Sequence, residues 1–117
     1  MAADPVPTAV SCMDAPQLRQ RAVGDRREIE KLKSDQARVV NGSRAGFLAS
    51  LAIIADLKCR VISADADEAL RPAFEAARRA EASDSFYERA RMWGEASFIA
   101  TQVIALLIRD LPAAPSK

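Results

Sequence analysis

Histidine is absent from this chain of 117 residues, and aromatic residues make up only 5% of it. The absence of histidine removes the commonest general acid or base, the commonest metal ligand and the usual pH switch. The sequence also has no glycine-rich phosphate loop and no nucleophile motif. Glu88 and Glu95 could form an acid–base pair, but they are two turns apart on a helix face that also carries arginines. We therefore expect a protein that is not an enzyme and that binds no metal ion and no cofactor.

Charge of one sign is also missing, since 17 basic residues stand against 16 acidic residues and the net charge is +1. Such a balance provides no field that would attract nucleic acid or an anionic membrane. The basic residues between positions 19 and 38 are interleaved with acids and have no aromatic residue among them to stack on bases. The longest nearly apolar run, residues 97–108, is shorter than the roughly 20 residues of a membrane span. We expect neither a nucleic-acid partner nor a membrane span.

Helical patterning is present along the whole central part of the chain, and 50% of the residues are hydrophobic. No segment shows the alternation of a strand, and Asn41-Gly42 lies between helical patterns. We predict an all-α fold, a four-helix-like bundle with a long charged first helix and nearly all-apolar second and fourth helices. Residues 12–111 are predicted to form a single helical domain. Residues 1–11 and 112–117 are predicted to be a flexible arm and tail, because their prolines and small polar residues cannot support packing.

The boundaries of the first two helices are predicted from capping residues and apolar stripes. Asp14 can cap the first helix and Pro16 fits its first turn, so this helix is predicted to continue to about Val40. Asn41-Gly42-Ser43 is predicted to end or kink it. The second helix, residues 43–62, is apolar nearly all round and is expected to be central.

The last two helices are each predicted to begin at a capping box, in which two side chains satisfy exposed backbone amides reciprocally. Asp65 and Glu68 form the first box, and Ser85 and Glu88 form the second. Pro72 is predicted either to kink the third helix or to divide it into two short pieces. The fourth helix is predicted to run to position 111, where a proline follows.

Cys12 and Cys59 are the only two cysteines. Cys12 lies at the start of the first predicted helix and Cys59 near the end of the second, so an antiparallel hairpin would bring them together. A disulfide between them would stabilise the fold by roughly 4 kcal/mol through loop closure. The alternative is two reduced thiols. Because no Cys-x-x-Cys spacing is present, we expect no catalytic redox role.

A structural disulfide indicates an oxidising compartment, most simply a bacterial periplasm. The first residues lack the charged segment and the apolar segment of a secretory leader. We interpret the chain as periplasmic or otherwise exported, with its leader already removed. The alternative is a cytoplasmic protein in which both thiols are reduced.

Charged residues interrupt the apolar second helix at Asp56 and Arg60, four positions apart. This spacing allows the two side chains to form an ion pair on one helix face. One interpretation is the exposed strip of a mostly buried helix. The other is a polar patch that faces a partner or a ligand.

The fourth helix carries more apolar surface than a monomeric bundle needs to bury. Small residues recur along it beside large apolar ones, and few of its residues look suited to face water. We predict an interface with a second copy or with another protein; the alternative is a central helix surrounded by the other three. The predicted interface residues are Tyr87, Trp93, Phe98, Thr101 and Gln102, with the aromatic residues as anchors.

These observations predict a non-catalytic, exported protein-binding module that works as a homodimer or binds another protein. Such a module would act as an inhibitor or immunity protein, a chaperone-like factor or an accessory subunit of an envelope system. One alternative is a cytosolic adaptor or regulator with reduced thiols. The other is a carrier with a small apolar ligand between its helices, for which an apolar cavity would be the sign.

Overall fold

The computed structural model describes Pro7 and residues 9–112, and within these residues it contains four α-helices and no strand. They are α1 (Ala15–Ile29), α2 (Asp35–Lys58), α3 (Ala64–Ala82) and α4 (Phe86–Arg109), and a 3-10 turn, Cys12–Asp14, precedes α1. The prediction of an all-α four-helix bundle is confirmed. The molecule is elongated, with principal extents of 53 × 25 × 21 Å. The rest of the predicted arm and tail lies outside the described residues.

Helix α2 occupies a central position, because it packs against α1 on one side and against α4 on another. The chain reverses between successive helices, so α2 and α4 run parallel, and the Ser97 hydroxyl of α4 donates to the Ser43 carbonyl of α2 at 3.3 Å. Helix α3 packs against α4. Helix α1 is therefore a peripheral helix that rests on α2.

The core is built mainly from α2, α3 and α4. Phe47 of α2 is at its centre, with its ring 5.9 Å from the ring of Trp93 and 6.4 Å from that of Phe74. The side chains that are fully buried and largest are Trp93, Phe47, Leu48, Leu51, Ile54, Leu70, Leu107 and Val103. Alanines fill much of the remaining core, which lets the helices approach closely. Helix α1 contributes only Ala15, Leu18 and Ala22 as buried residues.

The boundary between α1 and α2 differs from the prediction. Helix α1 ends at Ile29 rather than near Val40, and α2 begins at Asp35 and continues through Asn41-Gly42-Ser43 without interruption. The Ser34 hydroxyl caps α2 by accepting from the amide of Ala37 at 3.3 Å. The apolar face of α2 is continuous across the glycine, and its burial outweighs the roughly 1 kcal/mol that a glycine costs within a helix.

The beginning of α1 also differs from the prediction. Asp14 does not cap Gln17; its carboxylate accepts a hydrogen bond of 2.8 Å from the amide of Ser11 and stabilises the 3-10 turn instead. Pro16 does lie in the first turn of α1, as predicted. Before the turn, Val10 is only 5% exposed and belongs to the core, although it falls in the predicted flexible arm.

Helix α3 begins earlier than predicted. Its N-cap is Ser63, whose hydroxyl accepts from the amide of Ala66 at 3.2 Å, so Asp65 lies in the first turn and is not the cap. Pro72 lies inside a helix that continues without a break to Ala82. Half of the capping box predicted for α4 forms, since the Ser85 hydroxyl accepts from the amide of Glu88 at 3.4 Å. The reciprocal half does not, because the amide of Ser85 donates to the hydroxyl of Ser83 at 3.1 Å.

Candidate docking surface

One face of α4 is exposed along the whole length of the helix and is predominantly uncharged. Its residues follow one another at steps of four and three, so they form a continuous line on the helix surface. We call this line the α4 seam, and it consists of Tyr87, Arg91, Gly94, Phe98, Thr101, Ala105 and Ile108, all of them exposed.

The large side chains of the α4 seam are more than half exposed to solvent. Tyr87 is 82% exposed, Phe98 63% and Ile108 55%. Arg91 is the single charged residue of the seam, which is uncharged from Gly94 to Ile108. Gly94, Thr101 and Ala105 separate the large residues and leave shallow positions; a Cβ atom added to Gly94 would meet no atom within 4 Å.

The predicted interface residues fall into two groups. Tyr87, Phe98 and Thr101 belong to the α4 seam, and Gln102 is exposed beside it. The hydroxyl of Thr101 donates to the carbonyl of Ser97 at 2.9 Å, so it brings no unpaired donor to the surface. Trp93 is different, because it is only 2% exposed and packs on Phe47 in the core. Trp93 therefore cannot contact a partner in this fold and does not belong to the docking surface.

The predicted disulfide between Cys12 and Cys59 is present. The two Cα atoms are 4.9 Å apart and the cysteines are separated by 47 positions. The bond joins the turn before α1 to the residue that follows α2. It therefore fastens the peripheral helix to the central one at one end of the hairpin.

The predicted ion pair between Asp56 and Arg60 does not form. Asp56 instead binds Arg19 of α1, with 2.6 Å between the guanidinium and the carboxylate, while Arg60 is exposed. Both side chains of the Arg19–Asp56 pair are more than half exposed, so the pair is worth well under about 1 kcal/mol. It crosses the α1–α2 interface, and it gives no support to a buried polar patch at Asp56 and Arg60.

Three further polar contacts join different segments of the chain, and periodicity could not have predicted any of them. Asp25 and Arg44 approach within 3.2 Å across the α1–α2 interface and are only 23% and 17% exposed. Lys58 donates to the carbonyl of Val10 at 2.6 Å and pairs with Asp67 of α3. Lys58 thus holds the segment before α1 against the rest of the bundle.

Within residues 9–112, no group of three His, Cys, Asp or Glu side chains is placed to hold a metal ion. None of the four helices described above has the length and hydrophobicity that crossing a bilayer requires. Comparison with protein-family models, with curated proteins and with solved structures gives no match. Function is therefore inferred from the geometry of this chain alone.

Proposed function

We propose that this protein is a non-catalytic protein-binding module of an oxidising compartment, and that it works as a homodimer through the α4 seam. The observation that carries the proposal is the exposed seam itself. Single exposed apolar residues are normal on a protein surface. An aligned series along the length of one helix is a different feature, because such a stripe is typical of a helix that packs against another helix.

The residues on the seam favour an antiparallel pairing of two α4 helices. In that arrangement the small Gly94 faces the small Ala105 of the second copy, and the large Phe98 faces the smaller Thr101, so the two Phe98 rings do not meet each other. Arg91 faces Ile108. A parallel pairing would instead place the two Arg91 side chains opposite each other, which is unfavourable for like charges.

Charges along one flank of the seam support the same orientation. Glu88, Glu95, Gln102 and Arg109 each follow a seam residue by one position and repeat every seven residues. Antiparallel pairing brings Glu88 near Arg109 of the second copy, and Glu95 near Gln102. Because the pairing is two-fold symmetric, each contact occurs twice. A seam one helix wide is smaller than a standard interface, so we expect a dissociation constant in roughly the micromolar range.

The disulfide supports the assignment to an oxidising compartment, because such bonds persist mainly outside the reducing cytosol. Alkylation of thiols in the cells that produce the protein, followed by intact-mass measurement, tests this part directly. Blocked thiols agree with the exported module. Two free thiols would contradict it and favour the cytosolic adaptor.

Light scattering over a concentration series tests the dimer. The wild-type chain should approach twice the 12.7 kDa of one copy as the concentration rises. Phe98→Glu should remain a monomer with an unchanged circular-dichroism spectrum, because Phe98 is exposed and its replacement leaves no cavity. Val39→Glu is the matched control, since Val39 is 51% exposed and belongs to α2 and not to the seam. A wild-type mass of one copy at every concentration would refute the homodimer.

Cross-linking tests the orientation. The double variant Gly94→Cys/Ala105→Cys should form an intermolecular disulfide in the antiparallel dimer, and neither single variant should. In a parallel dimer each single variant would cross-link to its own counterpart. That result would reverse the proposed orientation while leaving the seam as the interface.

A further inference from the structure

A second apolar surface lies in a groove between α1 and α2. We call it the α1–α2 groove; it has a volume of about 320 Å³ and is lined by Arg19, Ala22, Val23, Arg26, Ala49, Ala52, Ile53 and Asp56. Val23 and Ile53 are 50% and 48% exposed and form its two walls. The three alanines form the floor. The volume is at the lower end of the range for small-molecule sites.

The two ends of the α1–α2 groove differ in charge. At one end, Arg19 is neutralised by Asp56 at 2.6 Å. At the other end, two helical turns away, Arg26 is exposed and has no ion pair within the described part of the chain, and Glu30, one turn further on, does not pair with it. The groove is therefore an apolar channel with a cation at one defined end, and residues 9–112 supply no counter-ion for that cation.

We propose that the α1–α2 groove binds an amphipathic carboxylate, a free unbranched fatty acid of medium chain length. The carboxylate lies at Arg26, and the apolar chain extends between Val23 and Ile53 toward the neutral Arg19–Asp56 end. Seven residues of helix separate the two arginines, which is about 10 Å along the axis. An extended chain advances about 1.2 Å per bond, so a chain of roughly eight to ten carbons fills this length.

This site is independent of the α4 seam, and its occupant differs from the protein partner proposed above. The charge pattern selects an anion over a cation or a neutral chain. The straight path between Arg26 and the Arg19–Asp56 pair suits an unbranched chain. The affinity is expected to be modest, because one side of the bound chain remains in contact with water.

Titration of the isotope-labelled protein with decanoate, followed by amide chemical shifts, tests the proposal. Saturable shifts are expected at Val23, Ala49, Ala52 and Ile53. Octanoate should bind roughly four- to fifteen-fold more weakly than decanoate, which corresponds to half to full burial of two methylene groups. Decanol should bind more weakly than decanoate, because it lacks the charge that Arg26 attracts.

Four variants test whether the groove is the binding site and Arg26 its anion contact. Ile53→Glu, at a half-exposed wall position, should abolish the shifts, since it removes apolar surface and repels the carboxylate. Arg26→Gln should weaken decanoate by up to about five-fold and leave decanol unchanged. Arg78→Gln is the matched control, since Arg78 is exposed on α3, which does not pack against α1, and it should have no effect. Phe98→Glu should bind decanoate as the wild type does, whatever its oligomeric state.

The proposal is overturned if decanoate gives no saturable shifts up to millimolar concentration, or if the shifts appear on the α4 seam. Equal binding of decanol and decanoate would also overturn it. Saturable shifts of the groove residues with an amphipathic helical peptide, and none with decanoate, would show that the groove is a peptide site.

Discussion

Asp25 and Arg44 form the polar contact whose loss should be felt most in the fold. The carboxylate Oδ2 and the guanidinium Nε are 3.2 Å apart, both are shielded from solvent, and neither has a hydrogen-bond partner of good geometry among the described residues. Electrostatic attraction therefore compensates only part of the desolvation. The two residues hold α1 on α2 without contributing strongly to net stability.

Arg44→Ala should lower the free energy of unfolding by about 1–3 kcal/mol, because it leaves the Asp25 carboxylate partly buried without its partner. Asp25→Leu/Arg44→Met should restore or exceed wild-type stability, since apolar side chains of similar size remove both desolvated charges. Urea denaturation of the single and double variants measures this coupling. Equal losses in the single and double variants would show that the side chains matter through packing and not through charge.

Trp93→Ala is predicted to destabilise the fold. Removing a fully buried tryptophan should lower the free energy of unfolding by about 3–5 kcal/mol, through lost burial and the cavity left beside Phe47. The measurement is a urea unfolding curve, compared with that of Phe98→Glu. The latter should unfold at nearly the same midpoint urea concentration as the wild type. A Trp93→Ala protein of wild-type stability would contradict the position of this residue in the core.

At the scale of elements, the boundary between α1 and α2 shows where sequence patterns were insufficient. Asn41-Gly42-Ser43 has the composition of a turn, whereas residues 30–34 contain neither glycine nor proline. The helix nevertheless ends in the second segment. The apolar positions Val40, Phe47 and Leu51 continue at helical spacing across the glycine, and this continuity was the signal that could have corrected the boundary.

Gly42→Ala tests the boundary, because a turn and a helix interior predict opposite signs. Within α2, alanine should stabilise the protein by up to about 1 kcal/mol. No glycine among the described residues has a positive φ, and a Cβ atom at Gly42 would make an ordinary contact of 3.9 Å with Ile29. Thermal unfolding measures the change. A lower melting temperature would indicate that residues 41–43 form a turn.

The helix caps, the buried stripe of α4 and the α1–α2 groove show the same contrast between local and long-range information. The Ser85 cap was predictable because capping depends on residues three positions apart. The burial of Trp93 had a signal too, since it shares a stripe with Ala96, Ala100 and Leu107, all of them buried. The α1–α2 groove and the ion pairs between helices had no such signal in the sequence, because they depend on how two distant segments are placed against each other.

At the scale of the whole molecule, α1 depends on the disulfide more than the other helices do. It packs on α2, and its buried residues are two alanines and one leucine. Burial of so little apolar surface contributes little to the free energy of unfolding, at about 25 cal/mol per Å². The cysteine pairing was predictable because each cysteine lies near the end of a helix in an obvious hairpin.

Reduction of Cys12–Cys59 should lower the free energy of unfolding by about 4 kcal/mol, from the loop of 47 residues that it closes. For a chain of this size that corresponds to a fall in melting temperature of roughly 12–24 °C. Melting curves with and without reductant measure it, and intact mass after alkylation counts the thiols. Cys12→Ser/Cys59→Ser is the control and should melt identically in both conditions. An unchanged melting temperature of the wild type on reduction would show that α1 stays packed on α2 without the disulfide.

The position of α4 in the chain has a consequence for the order in which the protein can assemble. A chain that emerges with its N-terminus first can pair α1 with α2 as soon as residue 59 is available. The apolar faces of α2 and α3, however, find their common cover only in α4, which is the last helix to emerge. Until then, the apolar surface of both helices that α4 covers in the fold stays exposed. Trp93, carried by that last helix, is therefore a built-in fluorescent reporter of the final step.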